Sequence, residues 1–387
     1  MPLENLFTDE ATANAPEEQP KLLYKKFGVL SNPFPSAGQT SGHPHMSTEA
    51  DKQVDAAVKT FYSDRKSHVI SITASQGIGK TNLLNAYENA LREKLSQHGF
   101  FVIRYVPDPE PFFDPLIRSI FENLGEDYLR RSIDALAKRK QEVDDIDKLL
   151  AFVRMSEIKI MLKALLNVIN SEEKLNERLS LAYQWLLGLP VRKTHQTELG
   201  VNFRLDTVEA KTRALRDIVY FGSEMKTLEG IFILLDELEK QNGSLSKTIV
   251  LRYLSALRAL IDALPKYLFL MVALTTDALE RYREMLPAIR GRLANEVQLS
   301  PIRNEEEAVK LFKFYLEQAK MEARNFAQKK QLQEGNDVLL HEDSARLLFH
   351  QLLRGSNIKG VRQRDYLNAF MKKQMSPSMN LCRHSFS

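Results

Sequence analysis

The chain has 387 residues, with 54 lysines and arginines against 50 aspartates and glutamates, for a formal net charge of +4. Hydrophobic residues make up 43%, which excludes a disordered chain and suits one large domain or two to three small ones. The mild basicity permits a nucleic-acid partner without arguing for one, and the single cysteine, Cys382, excludes an internal disulfide framework and a cysteine-based metal site, as fits a reducing, cytoplasmic setting.

Residues 1–20 are acidic and contain prolines, and they lack a basic start followed by an apolar run. They are expected to form a disordered leader rather than a secretory signal. No apolar stretch reaches membrane-spanning length, so no membrane partner is expected. Residues 21–47 read as an irregular strap, because Gly28, Pro33 and Pro35 interrupt regular structure while Phe27, Leu30 and Phe34 remain apolar. Such a segment is either an arm packed on the body or a cover for a bound base.

Residues 48–66 read as a helix. Strand 68–73 follows, then a glycine-rich turn, a helix from Thr81 to about Gln97, strand 100–106 and a helix from Pro111 to Leu124 closed by Gly125. Residues 126–200 have helical spacing and no strand pattern, so they are expected to be an inserted bundle of two to four helices. Residues 191–204 read as a loop or short hairpin. Further helices are expected at 207–226 and 246–264. Strands 231–235 and 268–274 are apolar throughout, as in strands buried on both faces, and 297–299 is a short last strand. Residues 303–372 read as helical throughout and 373–387 as a tail. The alternation gives an α/β fold with a five-stranded doubly wound parallel sheet. The nucleotide-binding core spans 48–302, interrupted by the helical insert, and a C-terminal helical lid spans 303–372.

The stretch Ala74-Ser75-Gln76-Gly77-Ile78-Gly79-Lys80-Thr81 lies between a strand and a helix, as a phosphate-binding loop requires. Its backbone N–H groups, continuing to Asn82, would wrap a triphosphate. Lys80 would reach the β- and γ-phosphates, and Thr81 would offer its hydroxyl to Mg²⁺. Ala74 replaces the glycine of the first position. Asp236 and Glu237 cap the most apolar strand, where ligands of open α/β sheets sit. Asp236 would hold Mg²⁺ and Glu237 would act as general base toward water; capping of the next helix is the alternative. Thr275 ends strand 268–274, where a polar side chain could contact the γ-phosphate. Arg290 and Arg292 form a pair suited to stabilising phosphoryl transfer from a neighbouring subunit, and equally to a solvated surface.

This order of motifs resembles the AAA+ ATPases. It is most similar to the branch holding origin-recognition ATPases, transposition-regulator ATPases and the P-loop proteins of BREX-type phage defence. The resemblance covers about residues 24–372 outside the insert. It implies that the stretch from Phe27 to Phe34 packs on adenine, that Asp236 and Glu237 are the Walker B pair, and that Thr275 stands where a sensor asparagine is frequent. It makes Arg292 the arginine finger, with Arg290 as understudy. Gly360 to Leu367 resembles the helix start G-x-x-P-R, which puts Arg364 at the second sensor; Gln363 replaces the proline, so Arg362 is the alternative. The implied protein binds and hydrolyses ATP with Mg²⁺, forms a homo-oligomer, and engages DNA independently of sequence or recruits a nuclease, transposase or helicase. Lys240, Lys247 and Arg252 are the candidate DNA contacts. The rival expectation is a phage-defence signalling or scaffold ATPase that holds a protein through the insert and leaves DNA alone.

Overall fold

Two strands carry no polar side chain: β3 (Gly230–Leu235, GIFILL) and β4 (Leu268–Leu274, LFLMVAL) are buried at every position. Strands of that composition need a packed layer on each face, the habit of parallel sheets. With β1 (His68–Thr73), β2 (Phe100–Tyr105) and β5 (Glu296–Gln298) they form one sheet in the order β2-β3-β4-β1-β5. Every pairing is parallel. The fold is therefore α/β with a five-stranded parallel sheet, each strand lying within one residue of its expected place. Leu235, Val272 and Ser71 stand in register, so β1, β4 and β3 end at one edge.

The computed structural model describes residues 18–36, 38–39, 42–107, 114–240, 246–330, 334–335 and 337–374. The expected leader up to residue 17, the helix start at Pro111, Cys382 and the tail beyond 374 lie outside them. The chain divides into two compact units. One holds 48–74 and 83–298, and the other holds 1–47, 75–82 and 299–387.

In the sheet-bearing unit, Phe61 fills one face of the sheet. Its ring lies edge-on to Phe232 at 5.1 Å and 5.6 Å from Phe269, and a Cβ on Gly230 would meet it at 2.8 Å. The other face is covered by helices whose apolar side chains share one continuous core with the sheet, from Ile231 and Leu270 out to Met161, Leu165 and Trp185. The segment expected as an insert is thus packed as part of the sheet's own core. It holds the part of helix Asp114–Glu142 beyond the break at Gly125 (φ 76°), then Ser156–Leu166 and Glu172–Leu186. The expected loop or hairpin at 191–204 is instead a short helix, Lys193–Leu199, ended by Gly200 at φ 70°. Its polar sequence hides it: only Leu199 is buried. Asp217, fully buried, accepts the N–H groups of Arg154 at 3.1 Å and Met155 at 2.7 Å and so fixes the start of the helix Ser156–Leu166 to the core.

The other unit is built from helices Glu305–Lys330, Glu342–Arg354 and Gln363–Gln374. The expectation of helix throughout 303–372 fails at two breaks, the second of which contains Gly360 at φ 135°. A Cβ at Gly360 would meet the Ile302 carbonyl oxygen at 2.6 Å, which leaves room there for glycine alone. A further helix, Glu18–Phe27, occupies the start of the expected strap and replaces irregular chain there. Its Tyr24 packs with Ala323 and Ala327, and the chain turns at Gly28 (φ 70°).

Candidate functional site

The loop after β1 owes its shape to its glycines. Gly77 (φ 81°) and Gly79 (φ 120°) lie in the left-handed region, where an L side chain is strained. Ile78, between them, is buried and anchors the loop. The helix Lys80–Leu95 begins immediately, with no acidic residue in its first turn to offset its positive end. A run of backbone N–H groups leading into such a helix start is a receptor for phosphate oxygens. Ser75 and Gln76 are exposed, Thr81 is half-buried and Lys80 is buried.

Other residues of the same unit meet this loop. The Arg364 N–H donates to the Gly77 carbonyl at 3.0 Å, and a Cβ on Gly77 would lie 3.4 Å from that of Arg364 and 3.6 Å from Cδ of Arg362. A Cβ on Gly79 would lie 2.9 Å from Oε1 of Gln363. The two arginines of the expected second sensor are therefore both at the loop, with the unexpected Gln363 between them. Arg362 and Arg364 are exposed. The Asn82 side-chain amide donates to the Pro44 carbonyl at 3.2 Å, and the Tyr315 hydroxyl donates to the same oxygen at 3.2 Å. His43 Nδ1 lies 2.9 Å from that hydroxyl, and burial holds the His43 pKa below its ordinary value.

Of these residues Phe34 meets the ring of Tyr315 and otherwise lies in the core. Its ring stacks on Phe370 at 4.7 Å, Phe312 at 5.7 Å and Tyr315 at 6.2 Å, and only 3% of the residue is exposed. A ring enclosed in this way has no face left for adenine. The expected base-covering role of Phe34 is corrected to a core role in the helical unit. The strap segment that does reach the start of the loop's helix is His43-Pro44.

In the sheet-bearing unit, Asp236 follows β3 and is 2% exposed. Its Oδ1 accepts the Glu237 N–H at 2.9 Å, and its Oδ2 accepts from Nη2 of Arg104 at 2.5 Å. Glu237 has φ 53°, a left-handed conformation that a glutamate adopts at a cost and that clusters at working sites. Arg104, on β2, carries its guanidinium into this corner. Burial pulls its pKa down, opposed by the charges of Asp236, Glu88 and Glu237 in that order. Thr275, at the end of β4, accepts the Ala278 N–H at 3.3 Å and so caps the helix Thr276–Met285. At the end of β1, the Thr73 hydroxyl donates to Glu296 at 2.7 Å.

The two candidate finger arginines are unlike. Arg292 is held by Asp262 at 3.0 Å and by the Ala288 carbonyl at 3.3 Å. Arg290 is exposed and makes no ion pair among the described residues. Lys247 and Arg252 are exposed on the helix Lys247–Ala263. Among the described residues no helix is long and apolar enough to cross a membrane, and no three His, Cys, Asp or Glu side chains gather to hold a metal.

The reading from sequence missed Arg104 and Gln363. One signal for Arg104 was present: it is the only charged residue in the otherwise apolar strand FFVIRY. Gln363 carried no signal beyond standing in the expected proline's place.

Comparison with known proteins places this geometry. The family model described as the KAP family P-loop domain matches residues 51–274, more than half of the chain. Among solved structures, the Walker-type ATPase PABY2304 of Pyrococcus abyssi is 12% identical, with 87% of this chain and 73% of that one covered and a TM-score of 0.36. The Aeropyrum pernix ORC2 protein, solved in ADPNP-ADP complexes, is 14% identical, with 91% and 75% covered and a TM-score of 0.36. At that similarity neither structure carries an argument about this chain. No curated protein matches it.

Proposed function

This chain belongs to the KAP family of P-loop domains, and from that premise we propose that it is an ATP-hydrolysing, magnesium-dependent switch. One observation carries the reading: Gly77 and Gly79 are both held at positive φ directly before Lys80, which opens a helix with no acidic residue in its first turn. A loop of that kind meets phosphate with backbone N–H groups, and Lys80 adds a charge-assisted bond.

Mg²⁺ fits the residues present. Thr81 offers a hydroxyl and Asp236 a buried carboxylate, each by itself too few donors to cage the ion and suited to one that arrives with phosphate oxygens. When bound, the ion would neutralise charge developing on the phosphates. Glu237 takes the proton of the attacking water, while Asp236 holds the Glu237 backbone through the 2.9 Å bond. Asn82, pinned to Pro44, and Tyr315 set the position of the His43-Pro44 segment, the part of the strap we assign to the base. Arg364 or Arg362 reads the phosphates, and Arg290 acts on a neighbouring subunit's nucleotide, since Arg292 is already held by Asp262.

The domain bounds we propose are a core from 48 to 302, with the helical segment 126–200 inside it, and a lid from 303 to 372. The resemblance to origin-recognition and transposition-regulator ATPases supports an oligomer that engages DNA through Lys247 and Arg252 or recruits an effector. The test of the nucleotide reading is Lys80→Ala. Loss of a charge-assisted bond worth about 1.5–3 kcal/mol lowers ATP affinity about 10- to 150-fold in folded protein. Unchanged ATP affinity overturns the reading. A salt titration of DNA binding with and without ATP tests the partner: binding that neither salt nor ATP alters leaves the protein-scaffold alternative.

A further inference from the structure

A carboxylate as buried as Asp236, 2% exposed, requires a cation or a set of donors. Its partner is Arg104, one strand away: Arg104 stands opposite Leu234 in the β2–β3 register, so its side chain reaches the residue just beyond β3. The pair is unusual in how little of the guanidinium it uses. One nitrogen, Nη2, meets Oδ2 at 2.5 Å, while Nη1 is buried without a hydrogen-bond partner. A guanidinium built as a permanent strut is expected to meet a carboxylate with two parallel bonds and to leave no buried donor unpaired. Arg104 is instead half satisfied, with 15% of its side chain exposed and two other carboxylates, Glu88 and Glu237, acting on it.

Asp236 is less free. Its Oδ1 accepts the Glu237 N–H, a backbone bond, while Oδ2 meets only the Arg104 side chain, which can swing away and yield that oxygen to a cation. An arginine and a divalent ion cannot both sit on that oxygen, because like charges a few ångströms apart in a poorly screened site repel strongly. The arrangement is that of two cations in turn on one acceptor.

We propose that Arg104 is a positioning residue that occupies Asp236 Oδ2 until a divalent cation displaces it, and that it thereby sets the metal concentration the protein requires. The inference rests on the assignment of Asp236 as the metal ligand. Arg104 holds the carboxylate aimed while no metal is present, and its unpaired Nη1 leaves it free to re-pair when the metal arrives. Without Arg104, Asp236 keeps an unmatched charge in metal-free protein, whereas Mg²⁺ meets no competitor.

The test is binding of a fluorescent, non-hydrolysable ATP analogue to the full chain, in EDTA and across a Mg²⁺ titration. In Arg104→Gln the Mg²⁺ midpoint falls about tenfold, while affinity in EDTA falls several-fold. Arg104→Lys, which keeps the charge, stays within about threefold of wild type on both counts. In Asp236→Asn the midpoint no longer responds to residue 104. Thermal melting checks folding, and Arg104→Met, which keeps the apolar stem, serves if the glutamine variant does not fold. A midpoint unchanged or raised in a folded Arg104→Gln or Arg104→Met overturns the inference, as does weakening by the same factor with and without metal. If wild type fails to bind the analogue at any Mg²⁺ concentration, the nucleotide reading falls first. If wild type binds with a metal midpoint that residue 104 does not move, only this inference falls.

Discussion

The loop at 75–82 and the strand end at 236–237 prepare for charge in opposite ways. The loop does it with backbone: two glycines at positive φ, a buried isoleucine as anchor and a helix start without acidic residues. Nothing there is costly until an anion arrives. The strand end does it with side chains, burying a carboxylate and matching it with an arginine whose second nitrogen is left unpaired. A backbone receptor is specified by geometry and is lost when a Cβ is added. A buried ion pair is specified by charge balance and is altered when one partner is neutralised. Substitutions at the two places should therefore fail differently.

The sharpest break falls at the strand end. Glu237→Gln keeps the shape and removes the base. ATP hydrolysis is expected to fall by about 10²–10⁴-fold while nucleotide affinity stays near wild type. Single-turnover hydrolysis and equilibrium binding separate the two quantities. The expectation is discarded if turnover falls by less than about tenfold, or if affinity falls in step with rate.

The second break concerns the region that the sequence described least well. Phe34→Ala is expected to cost about 3–5 kcal/mol of stability, the usual price for emptying a core of a phenyl ring. The ring has Phe370, Phe312 and Tyr315 around it. Among molecules that remain folded with Tyr315 still bonded to Pro44, nucleotide affinity should be unchanged. A stable variant with weakened ATP binding would return Phe34 to the base-covering role. The contrast explains what could be read in advance. The strands were legible because GIFILL and LFLMVAL admit one environment, and the loop because strand, glycine spacing, Lys-Thr and helix form a local pattern. Phe34 was not legible, because an apolar residue between two prolines reads alike whether it covers a ligand or fills a core; only its distant partners decide. Arg104 was hidden for the same reason. Its partner is 132 residues away in sequence, and strand pairing alone brings them together. The helix Lys193–Leu199 escaped because a seven-residue element with one buried side chain has no periodicity to read.

The smallest expected effect probes where the loop's geometry comes from. Gly79 has φ 120°, and a Cβ there would also meet Oε1 of Gln363 at 2.9 Å. Gly79→Ala thus suffers backbone strain of about 1–3 kcal/mol together with a close approach that a flexible amide can yield to. The double variant Gly79→Ala, Gln363→Ala separates them. If the backbone sets the loop, removing Gln363 restores little, and the double variant melts within about 0.5 kcal/mol of the sum of the single effects. If the neighbouring helix sets it, the second substitution recovers most of the loss, and the coupling exceeds about 1 kcal/mol. The first outcome keeps the loop a receptor defined by its own dihedrals. The second makes the first turn of Gln363–Gln374 part of that receptor, and the contrast with the side-chain-built strand end would then narrow.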